Sequence, residues 1–295
     1  MNKLRKLSIV SILVIFGFLY AEKMVVRISN PSPELVKNFS LKNFDIASYH
    51  PDKYIDLVVD EIGYSSLVEE GFKPVITQTE AQLKENLSIR QIEGYRTYDE
   101  VVQELTTLAA AYPDICKLFN IGQSWGKIYS EQGYSNYDDY SHDIWALKVS
   151  DNVEIEEDEP GIYYMGAHHA REPISTEVTM TVLNHIIDNY GTDTEITDNV
   201  NNSQIWFIPI VNPDGHKVVL QEYDIWWRKN IRDNENNQEF NTYSDGVDPN
   251  RNYGFEWGLV GASDQFDSET YHGPSPFSEP EIQAVRDLLT STHFV

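Results

Sequence analysis

Two periods alternate along the chain, and they divide it into two stretches. Met24–Ile28 alternates apolar and polar side chains like a strand, and Ser32–Lys42 carries its apolar positions at helical spacing. Phe44–Tyr49 and Tyr54–Val59 read as two strands, Glu61–Glu70 as a helix stopped by Gly71, and Lys73–Thr77 as a closing strand. The order β-α-β-β-α-β is the split βαβ, ferredoxin-like arrangement, so residues 22–90 are expected to form a small α+β unit ending in a polar linker over Thr79–Glu93. Residues 91–295 follow a different plan. Tyr98–Tyr112 puts Val101, Val102, Leu105, Leu108 and Ala109 on one helical face, and Pro113 ends it. Ile144–Val149, Ile162–Met165 and Ile205–Val211 are strongly apolar runs, each closed by turn-forming residues. Between the last two, Val178, Val182, Ile186, Ile187 and Tyr190 form a helical stripe. Buried strands alternating with amphipathic helices predict an α/β domain whose central sheet is mostly parallel or mixed and is flanked by helices. Ser130–Asp143, dense in Tyr, Ser and Asp, reads as a surface loop.

Composition narrows the partners more than the chemistry. The 22 Lys and Arg stand against 47 Asp and Glu, a formal charge of −25, which argues against nucleic acid or an anionic membrane surface as the main partner. The 41% hydrophobic content is enough for a packed core. Lys3, Arg5 and Lys6 precede an apolar run from Leu7 to Tyr20 that ends at the small residue Ala21, the pattern of a secretory signal peptide over residues 1–21. The alternative, a membrane anchor, needs a longer apolar stretch. The expected location is therefore secreted, extracellular or periplasmic, with no stable membrane association once the signal is removed. Cys116 is the only cysteine, so no intramolecular disulfide is possible. It stands at the end of a helical stretch and reads as a buried, inert thiol.

The chemically informative segment is Gly166-Ala167-His168-His169-Ala170-Arg171-Glu172, directly after a buried strand. A histidine and a carboxylate three residues apart can converge on one metal ion, and a nitrogen with an oxygen donor suits Zn²⁺. Alone, His-x-x-Glu is a weak pattern that reads first as a surface salt bridge or a helix cap. Four further segments follow in order: Asn212-Pro213-Asp214-Gly215, Trp227-Arg228-Lys229-Asn230, Gly246-Val247-Asp248-Pro249-Asn250-Arg251-Asn252 and Ser268-Glu269-Thr270-Tyr271-His272-Gly273. With His169–Glu172 this series closely resembles the zinc metallocarboxypeptidases of the carboxypeptidase A/B type, from about Tyr95 to Val295.

The resemblance implies one Zn²⁺ held by His169, Glu172 and His272. It implies Arg228 as the catalytic arginine that polarises the scissile carbonyl and steadies its oxyanion. Asn250 and Arg251 would grip the substrate's C-terminal carboxylate, and Arg171 would be an auxiliary binding arginine in the groove. The implied substrates are the C-termini of peptides or proteins, and the leading unit resembles the family's pro-segment, expected to cover the active-site groove. The residue types suit these tasks: a guanidinium meets a carboxylate through two parallel N–H bonds, which an ammonium cannot do. Bland alternatives stand beside these roles. Arg228 could be a surface cation stacked on Trp226 or Trp227, and Asn250 and Asn252 could be turn residues after Pro249. His168 reads as a structural neighbour of the site, and His50, His142, His185, His216 and His293 as ordinary residues. The run Asp233–Asn237 reads as a solvated loop before a calcium loop.

The family's glutamate base, covering tyrosine and specificity residue would all lie well after the third zinc ligand. Ser278 and Glu281 are spaced as a capping box for a last helix, with Ile282, Val285, Leu288 and Leu289 as its apolar side, and His293–Val295 looks like the entry to a strand. Both elements are expected to lack partners. The expectation is a C-terminally incomplete copy of such an enzyme; the alternative is a catalytically inactive relative that binds zinc or peptide C-termini. A binding module with a vestigial metal site, and a glycosidase built on paired carboxylates, are the other classes considered.

Overall fold

The computed structural model describes residues 22–291 apart from 43, 86–94, 156, 222 and 260. The signal-peptide expectation, most of the linker and the strand expected at His293–Val295 lie outside the described residues.

Residues 24–79 form a four-stranded antiparallel sheet in the order β2-β3-β1-β4, from β1 (Met24–Ser29), β2 (Asp45–His50), β3 (Tyr54–Val59) and β4 (Val75–Thr79). Helices α1 (Pro33–Leu41) and α2 (Glu61–Glu69) cross between them. Ser32 and Asp60 cap their first turns, accepting from the Leu35 and Gly63 amides. This is the ferredoxin-like arrangement read from the periodicity, built over Val26, Ile55, Leu57, Phe39 and Leu67. The closing strand is displaced two residues beyond its expected position, and residues 80–85 are helical where a polar linker was expected. Thr79 explains the switch: its hydroxyl accepts from the Gln82 amide, and the Gln82 side chain returns a bond from the Thr79 N–H.

The larger unit is a mixed sheet ordered β5-β6-β8-β7, from β5 (Cys116–Gln123), β6 (Asp143–Val149), β7 (Gly161–Met165) and β8 (Gln204–Ile208). β5 and β8 both pair antiparallel with β6, whereas β7 and β8 are parallel. On one face α3 (Tyr98–Ala111) and α5 (Ile174–Asn189) bury Val101, Leu105, Met180, Leu183 and Ile187 against Leu147, Val149 and Phe207. Thr97 and Glu100 form a reciprocal capping box for α3. The other face is covered by the last helix, α8 (Pro280–Ser291), whose Ile282, Val285 and Leu288 pack with Ile144, Ala146, Trp206 and Ile208. The expectation that this helix would lack a partner is corrected.

Cys116 opens a strand; it does not close a helix. The helix stops at Ala111, and residues 112–115 turn the chain into β5. β5 escapes the pattern because Lys117 and Asn120 interrupt its apolar alternation. The thiol is buried, as expected, and desolvation pushes its pKa up to about 12, which leaves it protonated. The expected surface loop is also more ordered than its composition suggests. α4 (Trp125–Glu131) precedes it, and Tyr137 within it is fully buried against Tyr129 and Trp227.

The Ser278–Glu281 spacing forms no capping box. Glu281 turns into the interior, where it accepts from the Trp125 amide at 3.1 Å and the Asn230 side-chain amide at 3.2 Å. Ser278 donates to Glu279 at 2.6 Å. Desolvation, with Glu279 and Asp214 nearby, pushes the Glu281 carboxyl up to about 8. A carboxyl with a higher pKa folded than unfolded contributes fully below its unfolded value, and that contribution is lost as pH rises towards the folded one. Glu281→Gln, which keeps an acceptor for Trp125 and an uncharged form, should leave stability nearly unchanged at pH 5. At pH 9 it should raise stability, on the order of 2 kcal/mol. Urea unfolding across that range checks this; parallel profiles for the two proteins would show that Glu281 does not titrate there.

Candidate active site

The motif segments meet at the C-terminal end of β7 and β8. Gly166 and Ala167 leave β7 with Ala167 in the left-handed region at φ 49°, and its N–H is held by the Ser175 hydroxyl at 2.8 Å. This turn carries His168 and His169 off the sheet edge. Asn212, capping α7 (Pro213–Leu220) with Pro213 in its first turn, donates its side-chain amide to the carbonyls of His168 at 3.3 Å and Lys229 at 3.0 Å. The Ala170 amide donates to the Arg228 carbonyl at 3.1 Å. Asn230 accepts from the Val247 amide at 2.8 Å, and its own amide bonds both Glu279 and Glu281. Asn252 donates to the carbonyls of His272 and Ser275 and accepts from the Glu279 amide. All three asparagines are fully buried. An Asn offers donors and acceptor on one short side chain, so each ties loops that lack a ladder of their own. Asn252 is therefore a tie between segments as well as a turn residue.

Gly246 fixes the approach of the fourth segment. Its φ is +82°, and a Cβ there would lie 2.4 Å from the Asn230 carbonyl oxygen. Two residues later Asp248, fully buried, forms the electrostatic centre of the site. Its Oδ2 accepts from Arg228 Nε at 2.8 Å, and its Oδ1 accepts from the Asn250 amide at 2.9 Å. The same Oδ1 faces His169 Nε2 at 3.5 Å. Burial alone would raise its pKa, but Arg228 and His169 hold it far below the usual carboxylate range. In the sequence Asp248 stands only as one residue of its motif, with nothing that marks it as the partner of Arg228. The signal available was an acid inside a segment of buried loop, which composition cannot distinguish from a turn.

His169 and Glu172 come together: Nδ1 and Oε1 are 3.0 Å apart on one short turn. Burial works against the His169 cation, yet Asp248 and Glu172 raise its pKa, and the same pairing lowers that of Glu172. His169 Nε2 is buried with no hydrogen-bond partner. His168 bonds Tyr253 Oη at 2.7 Å, and burial lowers its pKa to about 4, so it is neutral and structural. An imidazole nitrogen beside a carboxylate oxygen fits two of the donors a Zn²⁺ would need. His272 is placed apart from them. Its Nδ1 bonds the Gly273 carbonyl at 2.7 Å and its ring packs edge-on to Trp257 at 4.3 Å. Among the described residues, no donor set with all atoms within 4.8 Å of one another contains His169, Glu172 and His272 together.

Arg228 and Arg171 are buried, and a residue of the first sheet holds both. Asp45 of β2 pairs with Arg171 Nη2 and lies 3.8 Å from Arg228 Nη1. Arg171 also reaches Glu269 Oε2 at 3.4 Å, and burial notwithstanding, these carboxylates raise its pKa. Lys23 of the leading unit bonds Glu269 at 3.1 Å, and Val25 and Val58 pack on Ile225 and Trp226. Arg251 donates to the Gly261 carbonyl at 2.6 Å and to the Asn250 carbonyl at 3.2 Å. Together with Asn250, Tyr253 and Trp257 it lines a cleft of about 360 Å³. The site is thus in two parts, an Asp248-centred cluster under the first sheet and an open cleft at Asn250 and Arg251.

Comparison with known proteins matches residues 101–295 to the zinc carboxypeptidase family, Peptidase_M14. The chain is 32% identical over 198 residues to carboxypeptidase A2 of Mus musculus, covering 67% of this chain and 42% of the mouse protein. It is 33% identical over 196 residues to carboxypeptidase B of Astacus astacus, covering 66% of this chain and 56% of that one. The crystal structure of carboxypeptidase A from Helicoverpa armigera superposes with a TM-score of 0.72 at 24% identity, over 92% of this chain and 67% of that one. The matched region spans roughly half or less of the mouse and crayfish relatives. Its five ordered motifs, its mixed sheet and its matched length place the chain in the zinc carboxypeptidase family.

Proposed function

We propose that the chain is a zinc-dependent metallocarboxypeptidase that removes the C-terminal residue of peptides or proteins. The observation that carries this is the shared anchor: one buried carboxylate, Asp248, holds Arg228 and faces His169. A donor pair for a metal and a guanidinium for an oxyanion are thereby fixed relative to each other. His169 and Glu172 would hold the ion, with His272 as the family's third ligand. Zn²⁺ so held would polarise the peptide carbonyl and lower the pKa of a bound water. Arg228 would donate to the developing oxyanion, and Asn250 and Arg251, lining the open cleft, would take the terminal carboxylate.

The leading unit would act as a pro-segment that keeps the enzyme latent. Asp45 supports this, because a carboxylate already sits between the two buried arginines. Residues 1–21 would direct export. No helix among the described residues is long and apolar enough to cross a membrane. A second reading, a relative that binds zinc or peptide C-termini without turnover, is favoured by the separation of His272 from His169 and Glu172.

One assay separates the two. Blocked dipeptides with a free C-terminal carboxylate should be cleaved, their amidated counterparts should not, and Asp45→Ala should raise the rate about tenfold by freeing Arg171 and Arg228. Binding of the free-carboxylate peptides without release of an amino acid, in both proteins, would establish the second reading. Equal rates for the two proteins would remove the role given to Asp45.

A further inference from the structure

The cleft at Asn250 and Arg251 is walled by side chains to which the proposed activity gives no role. Tyr253 and Trp257 stand along it, both half-buried. Each is anchored by its polar end: Tyr253 Oη bonds His168 Nε2 at 2.7 Å, and Trp257 Nε1 donates to the His272 carbonyl at 3.0 Å. With those atoms engaged inside the protein, what the two rings offer a ligand is mainly apolar surface. The backbone between them is seated on the core. A Cβ at Gly254 would lie 2.5 Å from the Phe277 ring, and Tyr253 and Phe277 both pack against the cluster of Ile282 and Val285. The Trp257 ring packs edge-on to His272, so the cleft borders the segment that carries the family's third ligand.

Phe255 and Leu259 line the same cleft and are 87% and 59% exposed. One exposed apolar side chain needs no explanation, but two on one rim leave adjoining apolar surface in water beside a concave site. The polar end is equally distinctive. Arg251 donates only to neutral acceptors, the Gly261 and Asn250 carbonyls, and forms no ion pair among the described residues. Arg171 and Arg228 differ, since Asp45 already holds the first and Asp248 the second. A half-buried guanidinium without a carboxylate suits an anionic ligand. The volume of about 360 Å³ is near the low end for ligand pockets, roughly 300–1,000 Å³, so it admits one residue with its carboxylate and not a length of peptide. Glu256 also lines the cleft and would favour a basic side chain. It is exposed, however, and a carboxylate in water attracts a cation only weakly. A lysine side chain would moreover enter beside the Arg251 cation and lose hydration against the two rings.

We propose that this cleft selects peptides ending in a large apolar residue, aromatic or long aliphatic. The faces of Tyr253 and Trp257, with Phe255 and Leu259 at the rim, take its side chain, and Arg251 takes its carboxylate. This selectivity rests on the reading of Asn250 and Arg251 as the grip for the terminal carboxylate. Phe255 is the specificity-determining residue. Its ring stands in water in the free protein, and covering a bound apolar side chain removes both surfaces from water. Tyr253 and Trp257 are held by His168 and His272 and form fixed walls.

The test is ligand-observed NMR titration of the full chain with N-acetyl amino acids, which carry the free carboxylate and need no turnover. Acetyl-phenylalanine and acetyl-leucine should bind about 10–100-fold more tightly than acetyl-lysine and acetyl-glycine. Acetyl-phenylalanine amide, which lacks the carboxylate, should bind less tightly than the acid. Phe255→Ala, at an exposed position, should weaken acetyl-phenylalanine about three- to tenfold and leave acetyl-glycine unchanged. Equal affinities across the series, tighter binding of acetyl-lysine, or no binding at all overturns the proposal. So does an unchanged affinity for acetyl-phenylalanine in the variant, because the apolar residue would then sit elsewhere. Hydrolysis of the corresponding blocked dipeptides separates selectivity from activity. The expected binding order without release of an amino acid would sink the peptidase reading and leave the selectivity standing; release that ignores the side chain would sink the selectivity alone.

Discussion

Replacing Asp248 with alanine is expected to destabilise the fold by about 4 kcal/mol, more than any other single change in the site. The magnitude follows from what is left behind. Arg228 is buried and its Nε donates to Asp248 at 2.8 Å; without that carboxylate a guanidinium stays in the interior with its main partner gone. Breaking a buried pair from one side costs about 3–5 kcal/mol. The lower end applies because Asp45 remains 3.8 Å from Arg228 Nη1 and carries part of the charge. The Asn250 amide also loses its acceptor, which costs about another 1 kcal/mol and loosens the turn into the cleft. Asp248 further orients the His169 ring from its Nε2 side, so zinc affinity should fall about 10–100-fold. Urea unfolding and competition with a zinc chelator measure the two effects. A stability loss under about 1 kcal/mol would mean that Arg228 finds another partner and that Asp248 is not the anchor of the site.

The pH dependence of this pair has a definite sign. The Asp248 carboxylate is held below its ordinary value of 3.8, so its stabilisation is present above that pH and is lost only as pH falls further. Neutral and mildly acidic solutions leave it intact. Glu281 has the opposite sign: its contribution, unlike that of Asp248, declines as pH rises towards 8.

The strands and helices that bury one apolar face were legible in the sequence, because burial on one face writes a period into the chain. β3, β6 and β7 lie within a residue of their expected positions. β5 was not, since Lys117 and Asn120, on opposite faces of the strand, break the alternation on both. The candidate site was legible as motifs, and its organising centre was not. Asp248, Asn212, Asn230 and Asn252 are buried polar groups, and polar residues in the interior look like turn residues until their partners are known. Their partners are remote: Asp248 meets Arg228 across 20 positions and Asn230 meets Glu281 across 51. No local pattern encodes such pairs.

Arg228→Ala is expected to lower kcat for C-terminal release by about 10²–10³, with a smaller change in KM. A donor aimed at an oxyanion contributes chiefly once the charge has formed, so its loss falls on the chemical step and not on binding. The side chain suits that task. Nε is spent on Asp248, which fixes the plane of the guanidinium and leaves the terminal nitrogens to face outward, where Asp45 now stands. Removing it also strands Asp248, so the folded fraction must be measured alongside the rate. Arg228→Lys separates the two roles: an ammonium keeps a charge beside Asp248 but cannot offer a second, pre-aimed donor, and it should recover stability more than rate. Added guanidinium at low concentration should restore part of the rate to Arg228→Ala. Full recovery of kcat in step with stability in Arg228→Lys would make Arg228 a structural cation, the bland alternative its neighbours Trp226 and Trp227 had suggested, and the oxyanion role would then fall.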